Sequence, residues 1–201
     1  DIVSDKLLVP STGALHIFVT PDWRPVPHLT RAGYQCQTAY RLTLARGLAG
    51  DPAQLGRRAC LLLDHVIRHS RDPRGGFYYA APGTGPPSLQ GQVLLGSIKT
   101  WWVQAEALKA LLAVSCLAPE NETYLRNFDT HWQYVQRHFI DWKSGGVYQT
   151  GLDMVPRWRR GLGPRFLPRA ISRKGDVWKD ASHDGRALLF CIDNLRRSNA
   201  Q

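Results

Sequence analysis

Long apolar runs are missing from this sequence. No stretch approaches the roughly 18 uninterrupted apolar residues that a membrane-spanning helix needs, so we expect no membrane span. The first residues also lack the pattern of a signal peptide, and the chain starts at Asp1 rather than at Met. We therefore expect a fragment or a trimmed chain from a cytoplasmic protein. No heptad repeat persists, which excludes a long coiled coil.

Cysteine is sparse and scattered. There is no CxxC pair and no Cys/His spacing of a metal site among the four cysteines, which are Cys36, Cys60, Cys116 and Cys191. Each lies in an apolar or helical stretch. We therefore expect reduced thiols in the core rather than disulfides or zinc ligands, and no metal site.

Acidic residues are few: there are 16 Asp and Glu against 26 Lys and Arg, which leaves a net charge of +10. Such an excess raises nucleic acid or another polyanion as a partner. The charge concentrates between Arg157 and Lys179, in a loop-like stretch rich in Arg, Gly and Pro. No recognition-helix motif and no aromatic-basic RNA-binding pattern occurs, so we do not expect nucleic-acid binding. A basic scaffold for polyanions stays open as an alternative.

The chain length and apolar spacing predict one helical domain. With 201 residues, the chain is long enough for one substantial core and too short for two. An extended, β-prone entry is predicted at 14–20. Apolar spacing, turns and caps then predict five helices, at about 30–47, 53–70, 98–116, 122–139 and 183–196.

A turn motif occurs twice, each time after a long helix. The copies read Asp72-Pro-Arg-Gly-Gly-Phe-Tyr78 and Asp141-Trp-Lys-Ser-Gly-Gly-Val-Tyr148, about seventy residues apart. This repeat predicts an all-α toroid of helical hairpins with short strands at one end. The helix after each loop should line the centre of the ring, and the helix before each strand should lie outside. A site is expected at the end where strands and loops gather.

The stretch from Lys99 to Ala110 carries two distinct faces if it is helical. Lys99, Trp102 and Glu106 fall at i, i+3 and i+7 and share one face. Apolar residues that include Trp101 occupy another face, which suits packing. The first face, with an indole between two charges, is typical of the wall of a polar cavity. The alternative interpretation of the same three residues is a surface Lys/Glu pair beside a half-buried indole.

Two further segments carry similar polar-aromatic faces. Tyr34, Gln37 and Arg41 share one face of the first predicted helix. In the last segment, Asp180 or Ser182 could cap a helix whose first turn holds the imidazole of His183.

The position of His183 suits proton transfer. The positive end of the helix dipole disfavours imidazolium, so this ring would stay neutral and able to accept a proton. Arg186, one turn on, could stabilise an oxyanion. An exposed indole at Trp178 would suit the apolar face of a sugar ring. A solvated histidine near a helix cap is the alternative interpretation. The other histidines are interpreted as structural or solvated.

These motifs resemble the N-acylglucosamine 2-epimerase family, which includes cellobiose 2-epimerases and mannose isomerases. The resemblance rests on Lys99-Thr-Trp-Trp-Val-Gln-Ala-Glu106, on the two Asp…Gly-Gly turns, on the Trp178…His183…Arg186 order, and on the entry Thr20-Pro-Asp-Trp-Arg-Pro25. It implies an (α/α)6 barrel, a toroid of six helical hairpins. The chain resembles only the later half of that barrel, as a single domain over 1–201.

The resemblance also implies a reaction, which is proton transfer at sugar C2 through an enediolate, without a cofactor. His183 and Arg186 match catalytic positions of the family. Trp102 and Trp178 match positions that stack on the sugar. Glu106 matches the acidic residue of the Trp-Trp motif, and Lys99 is placed with it among the substrate-binding residues.

The sequence departs from the family at one catalytic position. The family's other histidine in this half lies in a Gly-His-x-x-Glu segment, where this chain has Gly33, Tyr34 and Gln37. An ordinary tyrosine, with a pKa near ~10, is a poor base at neutral pH. We therefore favour a one-base isomerisation through His183, with Tyr34 as a proton donor or hydrogen-bonding group and Gln37 at the substrate. A carbohydrate-binding pseudoenzyme is the alternative.

The resemblance carries expectations about partners. The substrate would be a mono- or disaccharide, and the N-terminal half of the toroid would supply the missing Arg and His. An open half-ring exposes inner-helix surface, so we expect dimerisation or poor solubility when that half is absent. The basic stretch 157–174 could receive an acidic sugar or be a solvated insertion, and we favour the insertion. The sequence does not select the sugar.

Overall fold

The chain is mostly helical, as predicted. The computed structural model describes residues 2–26, 29–48, 51–81, 98–154, 173–175, 179 and 181–198. Within them the long helices are α1 (Ala32–Ala45), α2 (Pro52–His69), α3 (Trp101–Leu117), α4 (Glu122–His138) and α5 (Asp184–Ser198). Each lies within three residues of its predicted bounds. Single helical turns occur at Val3–Leu7 and Leu152–Met154. No helix in the described part of the chain is both long and apolar enough to cross a membrane.

Helix α3 is the centre of the packing. It contacts α1, α2, α4 and α5, and it is buried without interruption from Val103 to Val114. A helix that is buried all round needs neighbours on every side. The inner row is α1, α3 and α5, while α2 and α4 pack behind α1 and α3. The predicted alternation of inner and outer helices is confirmed.

The outer helices bury only one side. In α2, Leu62 and Val66 are fully buried, whereas Arg57 and Arg68 on the opposite side are exposed. The N-terminus of α2 is capped by Asp51, which accepts a 2.9 Å hydrogen bond from the amide of Ala53. In the same way α4 is capped by its preceding asparagine.

The predicted cap of α1 is wrong. Thr30 does not cap the helix; its hydroxyl lies 3.0 Å from the carbonyl of Leu15, back in the entry segment. Thr30 instead belongs to a two-residue strand, β1 (Thr30–Arg31), which pairs antiparallel with β2 (Ala80–Ala81). The helix begins after this strand, at Ala32.

The two Asp…Gly-Gly turns are closed by equivalent backbone hydrogen bonds, although the second turn is one residue longer. In the first, the amide of Asp72 donates to the carbonyl of Gly76 over 3.0 Å, and the amide of Gly75 donates to Asp72 over 2.8 Å. The equivalent bonds around Asp141 have the same lengths, 3.0 and 2.8 Å. The repeat read from the sequence is therefore a structural repeat.

A third turn of this kind lies in the entry segment, just before the stretch 14–20 that was predicted to be extended and β-prone. The amides of Val9 and Gly13 make the corresponding bonds, to Ala14 and Val9, both 2.9 Å long. Gly13 has a positive φ of 78°, as the turn glycines do. The sequence motif is hidden because Val9 stands where the other copies have Asp. Beyond the turn, Leu15 bridges to Leu8 and Val19 bridges to Pro25, so the β-prone stretch 14–20 forms isolated bridges and no continuous strand.

Lys99 is held inside the first turn rather than on a helix face. Its ammonium donates to the carbonyl of Gly75 and lies 2.7 Å from Asp153 and 2.8 Å from Asp72. Its side chain is fully buried. Lys174 repeats this contact on the second turn, donating to Gly145 over 2.7 Å. Lys99, which was predicted to bind substrate, is therefore fully buried on these partners and does not line the cavity described below.

The turn glycines allow a matched pair of substitutions. Gly76 and Gly145 both have positive φ, 77° and 74°, which alanine adopts only at a cost of about 1 kcal/mol. A Cβ at Gly76 would also lie 2.3 Å from the buried ring of Tyr134, whereas one at Gly145 would meet nothing within 4 Å. We expect Gly76→Ala to lower the free energy of unfolding by more than about 3 kcal/mol and Gly145→Ala by about 1 kcal/mol. Urea denaturation of both variants measures the difference; equal losses would contradict the packing described.

The four cysteines are free, as predicted, but the prediction that all of them lie in the core is wrong for one. Cys36 and Cys191 are buried and Cys60 is partly buried. Burial raises the pKa of the Cys191 thiol to about 12, which keeps it protonated and unreactive. Cys116 is exposed near the end of α3, so it is not a core residue.

Candidate functional site

An open cavity lies on the inner row of helices. Residues from α1, α3 and the segments before β2 and α5 line it: Tyr34, Gln37, Tyr79, Trp101, Trp102 and His183. A second space, which shares Tyr34, Gln37 and Tyr79, continues along α1 to Arg41. The structure thus brings together four residues that the sequence placed in the site, Tyr34, Gln37, Trp102 and His183.

The indole of Trp102 is the middle of this cavity wall. Its centroid lies 5.3 Å from the ring of Tyr34, 5.7 Å from that of Tyr79 and 5.6 Å from that of His183. Rings at such distances pack edge to face or tilted, which holds the indole in place. An aromatic surface of this kind suits the apolar face of a sugar.

Gly33 makes room for that indole. A Cβ at this position would lie 2.0 Å from the Trp102 ring, far inside van der Waals contact. Gly33→Ala should therefore displace the indole and weaken any sugar-dependent change in tryptophan fluorescence at least tenfold, with a stability loss of about 1–3 kcal/mol.

Gly56→Ala is the control for that substitution. Its Cβ would make an ordinary 3.6 Å contact with the side chain of Arg46, at the end of α1, so the substitution should be neutral or slightly stabilising. Sugar titrations and urea melts of both variants make the comparison. Unchanged fluorescence in Gly33→Ala would show that the indole does not report on the cavity.

His183 is held by a buried carboxylate. Its Nδ1 lies 2.7 Å from Oε1 of Glu106, whose side chain is fully buried. The ionised carboxylate can only accept, so Nδ1–H donates, and Nε2 is the nitrogen that remains for the cavity. Arg186 reaches the same oxygen at 3.4 Å while about half of its side chain stays exposed. A carboxylate that orients a cavity histidine is the arrangement of a general base.

The position of His183 differs slightly from the prediction. It does not lie in the first turn of α5, which begins at Asp184; its carbonyl accepts a 2.9 Å bond from the amide of Ala187. His183 therefore occupies the N-cap position. The orientation of its ring comes from Glu106 on α3 and not from the helix start alone.

Glu106 lies behind the cavity wall rather than on its surface. It was placed among the substrate-binding residues, but a fully buried carboxylate that contacts His183 and Arg186 has no surface left for a sugar. Its role in this structure is to position His183.

Sequence reasoning missed Lys109 and Tyr79. The Lys109 ammonium lies 2.7 Å from Oε2 of Glu106, with its side chain fully buried. Desolvation lowers the pKa of the Lys109 amine, while Glu106 opposes that change. The spacing of three residues between Glu106 and Lys109 on one helix was the available signal. For Tyr79, the signal was the aromatic pair that ends the first turn motif.

The remaining predicted residues are placed as follows. Arg41 lines the second space and is exposed. Trp178 and Asp180 lie outside the described residues, as does the basic stretch 157–172. The side chain of Lys179 is mostly buried and pairs with Asp184 at 3.3 Å.

The other described histidines do not line this cavity, although His16 borders the second space. His65 and His131 are buried, and burial lowers the pKa of each to about 4, so both are neutral in the core. Among the residues that the structure describes, no group of three or more His, Cys, Asp or Glu side chains could hold a metal ion.

Comparisons with known proteins agree with this architecture. Residues 39–153 match the model of the family N-acylglucosamine 2-epimerase (GlcNAc 2-epimerase). The chain superimposes on cellobiose 2-epimerase from Bacillus thermoamylovorans with a TM-score of 0.76 and 18% identity, over 96% of this chain and 45% of that one. On cellobiose 2-epimerase from Spirochaeta thermophila it superimposes with a TM-score of 0.74 and 22% identity, over 98% of this chain and 44% of that one. On D-mannose isomerase it superimposes with a TM-score of 0.67 and 22% identity, over 92% of this chain and 43% of that one.

These comparisons show the fold. At such identities a structural likeness says nothing of substrate, but these solved structures are (α/α)6 barrels, and the predicted fold class is confirmed. The chain spans less than half the length of the structures it matches.

Proposed function

Because the chain belongs to the N-acylglucosamine 2-epimerase family, we propose that it supplies one half of the active site of a sugar 2-epimerase or aldose–ketose isomerase. The observation that carries this proposal is the 2.7 Å contact between Glu106 and His183, beside the indole of Trp102 and at the wall of a cavity. A histidine oriented in this way is what proton transfer at carbon requires.

The proposed reaction starts from the open-chain aldose, whose C2–H is acidic because it neighbours the carbonyl. Nε2 of His183 takes the C2 proton while the C–H electron pair forms a C1–C2 double bond and the carbonyl oxygen becomes an enediolate oxygen. Arg186, half exposed and 3.4 Å from Glu106, is proposed to stabilise that oxygen. In the isomerase, the proton returns to C1 while the O2 hydroxyl gives up its proton and O1 gains one, so that a C2 carbonyl forms and the product is the ketose. In the epimerase, a proton is delivered to the opposite face of C2 while the C1 carbonyl forms again, and the product is the epimer.

Isomerisation by one base fits the described residues better than epimerisation. A second base would have to stand across the sugar from His183, and α1 presents Tyr34 and Gln37 there. Tyr34 is about half exposed in the cavity wall, so we assign to it a proton-donating or hydrogen-bonding role. Gln37 is proposed to bind a sugar hydroxyl, and Trp102, with Trp178, to stack on the ring.

The rest of the barrel is the proposed partner of this chain. We propose that 1–201 is a single domain equivalent to the C-terminal half, and that an N-terminal half completes the cavity around a mono- or disaccharide. Exposed apolar side chains along α5, at Leu189, Ile192 and Leu195, support a missing neighbour on that side. A homodimer through this side is expected when the other half is absent.

A carbohydrate-binding pseudoenzyme is the second candidate. The observation that favours it is the pair Tyr34 and Gln37, which line the cavity without offering a base. In that case the aromatic wall would bind sugar while proton transfer at C2 would not occur.

Deuterium exchange separates these functions. The complete protein that carries this chain is incubated with a panel of aldoses in D₂O, and NMR follows deuterium at C1 and C2. The isomerase should place deuterium on the sugar. The pseudoenzyme should change tryptophan fluorescence with sugar and give no exchange. A polyanion scaffold should bind heparin with steep salt dependence and ignore neutral sugars.

A further inference from the structure

We infer that Lys109 is a positioning residue, which acts on His183 through the two oxygens of Glu106. Oε1 of Glu106 lies 2.7 Å from His183, and Oε2 lies 2.7 Å from Lys109. Both Glu106 and Lys109 are fully buried. One carboxylate thus joins an ammonium in the core to an imidazole at the cavity wall.

The burial of Lys109 needs an explanation that packing does not give. A buried ammonium costs several kcal/mol of desolvation, and a hydrophobic residue of similar volume often packs as well or better. Besides the carboxylate, Lys109 has the ring of Tyr40, whose centroid lies 4.9 Å from the ammonium. The charge therefore has one strong described partner, and that partner holds the cavity histidine.

The ammonium has two effects on His183. It fixes the carboxylate plane, so that Oε1 stays aimed at Nδ1–H and Nε2 stays directed to the cavity. It also offsets the charge of Glu106, so that the carboxylate stabilises imidazolium less than it would alone. Without Lys109, His183 would hold its proton more tightly and return it less readily.

Other charged and titratable groups face this cluster from both neighbouring helices. They are Cys36, Tyr40 and Arg41 on α1, and Arg186 and Cys191 on α5. Burial raises the pKa of Tyr40 and of both thiols, so these three groups stay neutral at pH 7. Arg41 and Arg186 are permanently charged in every variant compared. Beside His183, Lys179 pairs with Asp184 at 3.3 Å rather than with Glu106. Lys109 and Glu106 are the fully buried charges in contact with each other, and Glu106 also contacts His183.

The test is the proton titration of His183, followed by NMR on the complete protein with isotope-labelled histidine. His183 is assigned by the signal that disappears in His183→Asn. In Lys109→Met, the midpoint of the His183 titration should rise by about one pH unit. A purely structural lysine would change the melting temperature and leave the midpoint in place, which would overturn the inference.

Lys99→Met is the matched control. Lys99 is the other fully buried lysine of this region, and its partners are Asp72 and Asp153 rather than Glu106. Its removal should destabilise the protein at least as much and leave the His183 midpoint unchanged. An equal shift in both variants would mean that the His183 midpoint responds to any loss of stability rather than to the Lys109 charge, and it would contradict the inference.

A second measurement needs no variant at position 109. In the wild-type protein with labelled lysine, the side-chain signal of Lys109 should inflect at the pH where His183 titrates, because one carboxylate joins them. The signal of Lys99 should not. A Lys109 signal that is flat through the His183 midpoint would refute the coupling.

The catalytic meaning of this coupling rests on the proposed function, but its measurement does not. Both titrations are made without sugar. If deuterium exchange fails while the His183 midpoint shifts, the proposed reaction is wrong and the role of Lys109 stands. If deuterium exchange occurs while the His183 midpoint does not shift, the proposed reaction stands and Lys109 has no positioning role in it.

Discussion

His183→Ala is expected to reduce deuterium incorporation into the sugar by at least about 10³-fold, because it removes the only base that the described cavity wall offers for the C2 proton. Tyr34 and Gln37, the nearest alternatives on α1, cannot take that proton at neutral pH. The loss should appear in the rate constant for exchange, while sugar binding to the aromatic wall changes by only a few fold.

His69→Ala is the control for this result. His69 is an exposed histidine near the end of the outer helix α2, and it does not line the cavity. Its removal should leave exchange within a factor of about two, as for most surface substitutions. If His183→Ala retains exchange within tenfold of the wild type, another group removes the proton and the proposed mechanism is wrong.

Lys99→Met is expected to give the largest loss of stability, about 3–5 kcal/mol in the free energy of unfolding. The substitution leaves the carboxylates of Asp72 and Asp153 facing each other in the core without the ammonium between them. It also removes the hydrogen bond to the carbonyl of Gly75 that closes the first turn. Urea denaturation at pH 7 measures the loss.

The exposed Lys143 gives the control, because Lys143→Met removes the same charge from the surface and should cost less than about 0.5 kcal/mol. A loss below about 1 kcal/mol in Lys99→Met would show that the buried cluster does not hold the turn.

The same cluster predicts the effect of acid. Burial opposes ionisation of Asp72, but hydrogen bonds from Arg74 and Lys99 outweigh it and hold the pKa of this carboxyl well below its usual range. A native pKa below the unfolded value means that the contribution of Asp72 is complete above about pH 4 and is lost as the pH falls further. In Lys99→Met, the stability profile should therefore flatten between about pH 4 and pH 2.

The helices could be predicted because their signals are local. Apolar spacing identified each long helix to within a few residues, and the Asp…Gly-Gly repeat separated inner from outer helices. The third turn escaped prediction because Val9 replaces the aspartate, although the backbone bonds are the same. Repeated geometry is visible in a sequence only where the side chains repeat as well.

Two properties of the site could not be predicted from the sequence: the residue at which a helix begins, and how deeply a side chain is buried. Spacing placed Lys99 beside Trp102, but the helix begins at Trp101, so Lys99 turns back into the preceding loop. Spacing also placed Glu106 on the correct face without showing that α5 covers it. The contact between Glu106 and His183 joins residues 77 positions apart, and no local pattern encodes such a pair.

The most direct test is a crystal structure of the complete protein with a bound open-chain polyol, an analogue of the extended sugar. The account predicts that the polyol lies against Trp102, with its C2 within about 3.5 Å of Nε2 of His183 and with Nδ1 still on Glu106. A polyol bound elsewhere, or a His183 ring turned away from the cavity with the polyol in place, would contradict it.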